Sequence, residues 1–377
     1  MNSPQILLVA IESCVWDTLL IYLFGLLHLG RLACLVVNEA HLLPKHKSFR
    51  PCINFLKVFG SILISIVLLT TTCPPALEKT IFQKLGHDIY CVLRQGTDRP
   101  EIAQHMIPIA LKGSDNLESI VVKEISTLMA QLVGDNRMLL FCLSHEDCGQ
   151  MGMLLDWKPY NSAISLENRS KFMNMWWDGL IPGLVCTSML NCCLDYPAVR
   201  FVFHLDAPRD AVDYYQAIGR CARDGKPGTS FVYYVPRNGT GPSGEDPFGR
   251  SVIWEMLHGS GTSLCQRVLP GKFLDAFSIP CTMQQNANLC DICLKGITAD
   301  RHVPTNLTKS PSFPTQSALS LCLPSKTSPF NNPAPHASFG ILVVAAIASM
   351  QSMPPSPEEK LGLKVRQACD ALANCCV

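Results

Sequence analysis

Residues 213–225 read DYYQAIGRCARDG, placing Gln216, Gly219, Arg220 and Arg223 in the spacing Gln-x-x-Gly-Arg-x-x-Arg. One helical turn separates Gln216 from Arg220, so the two can share a face, and Arg223 follows about one turn further on. A guanidinium stays charged at any working pH and presents a planar fork of donors, which suits a phosphate chain. Gly219 leaves room for a phosphate or a second backbone to come close. Two arginines aimed across a cleft form an arginine-finger arrangement for nucleotide hydrolysis. The competing reading is an amphipathic helix whose arginines are merely solvated. The flanking sequence decides between them.

Around this stretch, apolar runs at 138–144, 183–187, 201–205 and 229–235 alternate with helical patterns at 117–132, 146–155, 167–178 and 210–222. That is the rhythm of a parallel sheet covered by helices on both faces. A similar alternation precedes it, with strands predicted at 5–9, 32–37, 62–69 and 105–109 and a helix at 76–85. The second and third of these strands end in the polar runs Asn38-Glu39-Ala40-His41 and Thr70-Thr71-Thr72. Open α/β sheets place their ligands at such carboxyl ends. The predicted fold is therefore α/β, with an incomplete parallel-sheet lobe over 1–112 and a second lobe over 113–236. A small cysteine-bearing unit follows over 237–296, then a disordered Ser/Pro-rich tail over 297–377. Within the tail, the apolar run at 339–348 has no evident partner in the sequence.

With 377 residues, the chain can bury substantial cores, and only 16% of its residues are charged. Its net charge of +1 gives no support to a nucleic-acid partner, so that idea must come from motifs. The 19 cysteines are scattered and often lie in apolar runs, which favours buried free thiols and one metal site in a reducing compartment over a disulfide framework. The apolar stretch at 6–37 is interrupted by Glu12, Asp17, His28 and Arg31, and the run at 61–72 is too short to span a bilayer. No membrane segment is expected.

Several segments fall in a telling order: NEAH at 38–41, KSFRP at 47–51, TTTCPPALE at 70–78, DRPEI at 98–102, LLFCLS at 139–144, Arg169 with Trp176 and Trp177, and the continuous run from Val185 to Gly225. Together they resemble the RecQ-type DNA helicases of superfamily 2, most of all the fungal members, over about residues 5–293. The resemblance implies two RecA-like lobes that close on ATP and Mg2+ and move 3′ to 5′ along DNA in nuclear recombination and repair. It implies that Glu39 acts on the attacking water, that Asn38 stands where a magnesium-holding Asp is usual, and that His41 couples the nucleotide site to the other lobe. Thr70–Thr72 would link hydrolysis to DNA contact. Gln216, Arg220 and Arg223 would reach the phosphates beside Gly219, with Arg223 as the finger. Arg50, Thr187 and Ser188 would touch DNA, and Asp195 would tie DNA binding to the nucleotide cleft.

Cys265, Cys281, Cys290 and Cys293 form C-x15-C-x8-C-x2-C, with Arg267 just after the first cysteine. Four thiolates match a closed tetrahedral zinc site, although buried thiols alone could supply such a pattern in so cysteine-rich a chain. Its position after two lobes resembles the zinc-binding subdomain of the same family, where the role of Zn2+ is structural.

Three departures stand out. No Gly-x4-Gly-Lys-Ser/Thr loop occurs: Gly225-Lys226 runs into Pro227 and Gly271-Lys272 into Phe273. The first lobe is accordingly expected to start part-way through, and ATP turnover by the chain to be weak or nil, leaving a DNA- or partner-binding module as the alternative. Asn38 is a weaker ligand than Asp for a hard cation. Asn191 and Cys193 stand where the family has glycines, and a side chain there is expected to crowd a turn needing positive φ.

Overall fold

The computed structural model describes residues 6–46, 52, 58, 64–85, 91–192, 194–259, 263–300 and 340–344. They form two sheets and a small unit packed beside the second. In the first sheet the strand order is β1 (Ile6–Ala10), β10 (Gly340–Val344), β2 (Cys34–Val37) and β3 (Ser65–Leu68). β2 and β3 run parallel, whereas β10 pairs antiparallel with both β1 and β2. The run at 339–348, for which the sequence offered no partner, thus supplies a strand inside the first sheet. This corrects the expectation of a tail disordered throughout. Helices Asp17–His28 and Pro75–Leu85 flank the sheet, and Leu23, Leu26, Leu35, Leu43, Leu77 and Ile81 share its core.

The second sheet has six parallel strands in the order β4 (Ile102–Pro108), β9 (Gly228–Tyr234), β8 (Val199–Leu205), β5 (Arg137–Phe141), β7 (Gly183–Cys186), β6 (Lys158–Tyr160). Strands β5 and β7 are buried along their whole length, as a sheet covered on both faces requires. One apolar layer gathers Trp176, Leu184, Val202 and Tyr214, and the opposite layer gathers Val121, Leu140, Met151 and Phe203. β4 corrects an expectation. The strand predicted to close the first unit pairs over its whole length with β9, from Ile102 opposite Gly228 to Pro108 opposite Tyr234. The second body therefore begins before Ile102 rather than after residue 112.

The helices of this body begin where the sequence supplies caps. Asn116, Ser144, Ser165 and Asp210 each accept a backbone N–H three residues on. Gly183 opens β7 because a Cβ there would lie 2.3 Å from the ring of buried Trp157. Trp176 is fully buried and donates its indole N–H to Met138 O, whereas Trp177 is half exposed and packs edge-on to Tyr196. The sheet order reverses at β5, with β7 on one side and β8 on the other, so the loops after these strands open into a crevice.

Candidate nucleotide and nucleic-acid cleft

The strand ends of the first sheet meet the Ala211–Ile218 helix of the second body. His41, fully buried just after β2, receives a hydrogen bond from Gln216 Nε2 at its own Nε2, 2.7 Å away. That contact leaves His41 Nδ1 to donate to Thr70 Oγ1 at 2.9 Å, while Gln216 Nε2 also donates to Thr72 Oγ1 at 3.1 Å. Burial, the Lys45 charge and His46 push the imidazole down to about 3, so His41 is neutral and can fill both roles. Residues from three separate stretches, 38–41, 70–72 and 213–225, thus close one buried network between the two bodies.

Glu39 takes a left-handed backbone conformation, φ +52°, in the turn that follows β2 and Asn38. Its Oε2 is buried, lies 3.5 Å from His41 Nδ1 and makes no hydrogen bond among the described residues. Burial raises the Glu39 carboxyl, and the Arg220 and Arg223 guanidiniums pull it back down. The carboxylate therefore sits within the field of both arginines.

The arginines play different parts. Arg220 is buried, and its fork grips the carbonyls of Leu194, at 2.7 Å, and of Asn191. This differs from a phosphate-reaching role, because both terminal nitrogens already hold the loop before β8. Arg223 instead pairs with Asp195 at 2.5 Å and lines an open cleft of about 820 Å³ with Thr70–Thr72, Gln104, Gln216, Gly219 and Arg220. Gly219 ends the helix with ordinary αR geometry, where a Cβ would come within 3.0 Å of Tyr215 O. Ala222, three residues on, carries the left-handed φ of +55°.

Thr187 and Ser188 lie away from this cleft. Thr187 is buried after β7, and exposed Ser188 borders a small pocket with Asn191, His204 and Arg209. Asn191 corrects a further expectation. It lies in a 3-10 turn over Ser188–Cys192 without positive φ, and its amide donates to Asp213 O. The turn accommodates the side chain by burying it. Arg50 and Cys193 fall outside the described residues.

Two further contacts cross between the bodies and escaped the sequence reading. Lys45 Nζ bridges Asp210 at 2.8 Å and Asp213 at 2.6 Å, the residues that begin the Ala211–Ile218 helix. Arg94 joins Glu78 and the carbonyl of Cys73 to that of Leu274. Lys45 carries a faint signal, one turn after His41, but its acidic partners lie about 165 residues away.

The four cysteines converge as their spacing suggested. Their sulfurs all lie within 4.8 Å of one another, with Cys265 and Cys281 at 3.3 Å and Cys290 and Cys265 at 3.9 Å. A tetrahedral ion with bonds of about 2.3 Å sets its sulfurs about 3.8 Å apart, so the set fits a single Zn2+-sized ion. Hydrogen bonds from Cys265 and Cys281 hold the Cys290 thiol far below its usual value, and Arg267 Nε donates to Cys281 Sγ at 3.2 Å. Burial pushes the Cys14 and Cys221 thiols up to about 12, which leaves those two protonated and unreactive.

Residues 121–225 match the helicase conserved C-terminal domain family. The match runs from within the Leu117–Met129 helix to the loop after the Ala211–Ile218 helix, and includes Gln216, Arg220 and Arg223. A Caenorhabditis briggsae protein named as a candidate ATP-dependent DNA helicase Q1 is 27% identical over 71% of this chain and 44% of its own length. The Schizosaccharomyces pombe ATP-dependent DNA helicase hus2/rqh1 is 25% identical over 54% of this chain and 15% of its own. These relatives do not single out the fungal members that the sequence pointed to. The chain spans less than half the length of either. Among solved structures, S. cerevisiae Dbp5 bound to RNA and ADP BeF3 is 17% identical over 60% of this chain and 57% of that one, with a TM-score of 0.48. No helix among the described residues is long and apolar enough to cross a membrane.

Proposed function

We propose that this chain serves RecQ-type, ATP-dependent 3′–5′ DNA unwinding in the nucleus, contributing a nucleotide-responsive DNA-binding core with a structural Zn2+. The observation that carries this reading is the buried His41–Gln216–Thr72 contact, which joins the strand ends of one sheet to the helix that leads into the arginine loop of the other. Such a contact lets occupancy of the cleft alter how the two bodies sit together. Glu39, Gln216 and Arg223 would face the terminal phosphate of ATP, Asn38 and Glu39 its Mg2+, and Arg50, Thr187 and Ser188 the DNA. Bound ATP supplies the energy of each step. Arg223 supplies the positive charge that a leaving phosphate chain needs, and removing a finger typically costs about 10³–10⁵ in rate, or roughly 4–7 kcal/mol of barrier.

A second reading is favoured by Asn38 and by the lack of a Gly-x4-Gly-Lys-Ser/Thr loop within the 377 residues. On it, the chain binds DNA without hydrolysing ATP. Fluorescence anisotropy with a labelled single strand tests the part common to both readings. Binding should weaken at least tenfold between 50 and 200 mM salt as phosphate contacts release counterions. No binding at micromolar protein would refute both. ATP turnover that the strand stimulates and Arg223→Ala abolishes would select the first reading, and binding without turnover the second.

A further inference from the structure

The segment Asp98–Ile102 lies between the four-cysteine unit and the arginine loop, and two guanidiniums hold it from opposite sides. Arg267, almost fully buried, donates Nε to Cys281 Sγ, Nη1 to Asp98 Oδ1 and Arg99 O, and Nη2 to Pro100 O and Ile102 O. These bonds measure 2.5–3.2 Å. Gln284 and Asn288, both between Cys281 and Cys290, reinforce them through Asp98 and the Glu101 carbonyl. On the other side Arg99 pairs with Glu101 and spreads its fork over Gly219 O, Cys221 O and Ala222 O, at 3.5, 3.2 and 3.0 Å. Those carbonyls flank Arg220, and Arg223 follows directly. Ala222 is also the residue with the strained left-handed φ, a conformation that persists only where neighbours over-determine it.

We propose that Arg267 and Arg99 form a relay by which a metal ion on the four cysteines sets the position of the 219–223 loop, so that loss of the ion loosens the arginine finger from a distance. Arg267 reads the site through the Cys281 sulfur, whose orientation a bound ion would fix. A thiolate accepting that hydrogen bond pins the guanidinium, which pins the backbone of 98–102. Arg99, carried on that backbone, then meets the loop carbonyls squarely. Both arginines are positioning residues here, neither touching a reacting group. The consequence for turnover rests on the reading of Arg223 given above, but the mechanical coupling does not.

Hydrogen exchange on the full chain tests the relay without any activity measurement. Chelation of the purified protein should raise exchange of the 219–225 amides at least tenfold together with those of 98–102, with the β5 and β7 amides unchanged. Arg267→Met should produce the same loosening with the cysteines intact, whether or not metal is bound. Arg99→Gln should retain metal at the wild-type stoichiometry, show 219–225 already loosened, and give no further response to chelation. The proposal is overturned if Arg267→Met leaves 219–225 protected, or if 219–225 in Arg99→Gln still responds to chelation. A failure of DNA binding or ATP turnover would leave these readouts unaffected, so the two ideas fall separately.

Discussion

His41 and Gln216, 175 residues apart in sequence, share a hydrogen bond of 2.7 Å between two side chains that are each almost wholly buried. A buried polar pair of this kind is costly to break from one side only, because the survivor is left unsatisfied. Removing either side chain therefore costs more than the pair itself contributes.

His41→Ala and Gln216→Ala should each destabilise the folded chain by about 1–3 kcal/mol, the cost of an orphaned buried partner. The double variant should cost clearly less than the sum, with a coupling of about 0.5–3 kcal/mol. Denaturant unfolding of the four proteins measures it, and strict additivity would show that the two side chains do not cooperate.

Stability should fall as pH drops below neutrality. Burial holds His41 and His204 at about 3 in the fold, against an ordinary 6.5, so between those values only the unfolded chain takes up the protons. Their contribution is complete above about 6.5 and is lost as pH falls towards 3, by up to about 1.4 kcal/mol per pH unit for each imidazole. Unfolding midpoints between pH 7.5 and 5 should show this slope, and His204→Phe should flatten it.

Lys45 and its two aspartates allow a test of interbody contact. Asp210→Asn keeps an oxygen to cap the Ala211–Ile218 helix and loses only charge, whereas Asp210→Ala loses the cap as well. The alanine variant should be less stable than the asparagine variant by about 0.5–2 kcal/mol. Lys45→Met should open the cleft between the bodies, read as a larger radius of gyration in solution scattering. An unchanged radius would assign Lys45 a merely local role.

The four-cysteine unit should carry one Zn2+ per chain by elemental analysis. Chelation should make all four thiols reactive to a thiol reagent, and Cys290→Ser should abolish stoichiometric metal. Metal content that survives Cys290→Ser would place the ion elsewhere.

The sequence revealed the elements that local periodicity and motif chemistry specify. Strands Gly183–Cys186 and Gly228–Tyr234 lie within a residue of their predicted bounds, because continuous apolar runs between turn residues leave little choice. The family resemblance implied that His41 couples to the other lobe but named no partner for it there. The grip of Arg220 on Leu194 and Asn191 was not foreseeable, since helical spacing fixes a face and not the carbonyls across from it. The pairing of β4 with β9 was missed because a strand that precedes the Asn116 cap reads as the close of what came before. Register across a sheet is set by partners far along the chain.

The place of β10 bears on the order in which the chain can fold during synthesis. Ile6 pairs with Val344, and the same strand joins β1 to β2. A ribosome releases β1 and β2 well before Gly340–Val344, at about 5–20 residues per second. The second body, with all its strands between Ile102 and Tyr234, can assemble while β1 and β2 still wait. The first sheet is thus completed after the second. Until Gly340–Val344 emerges, β1 and β2 lack the strand that joins them.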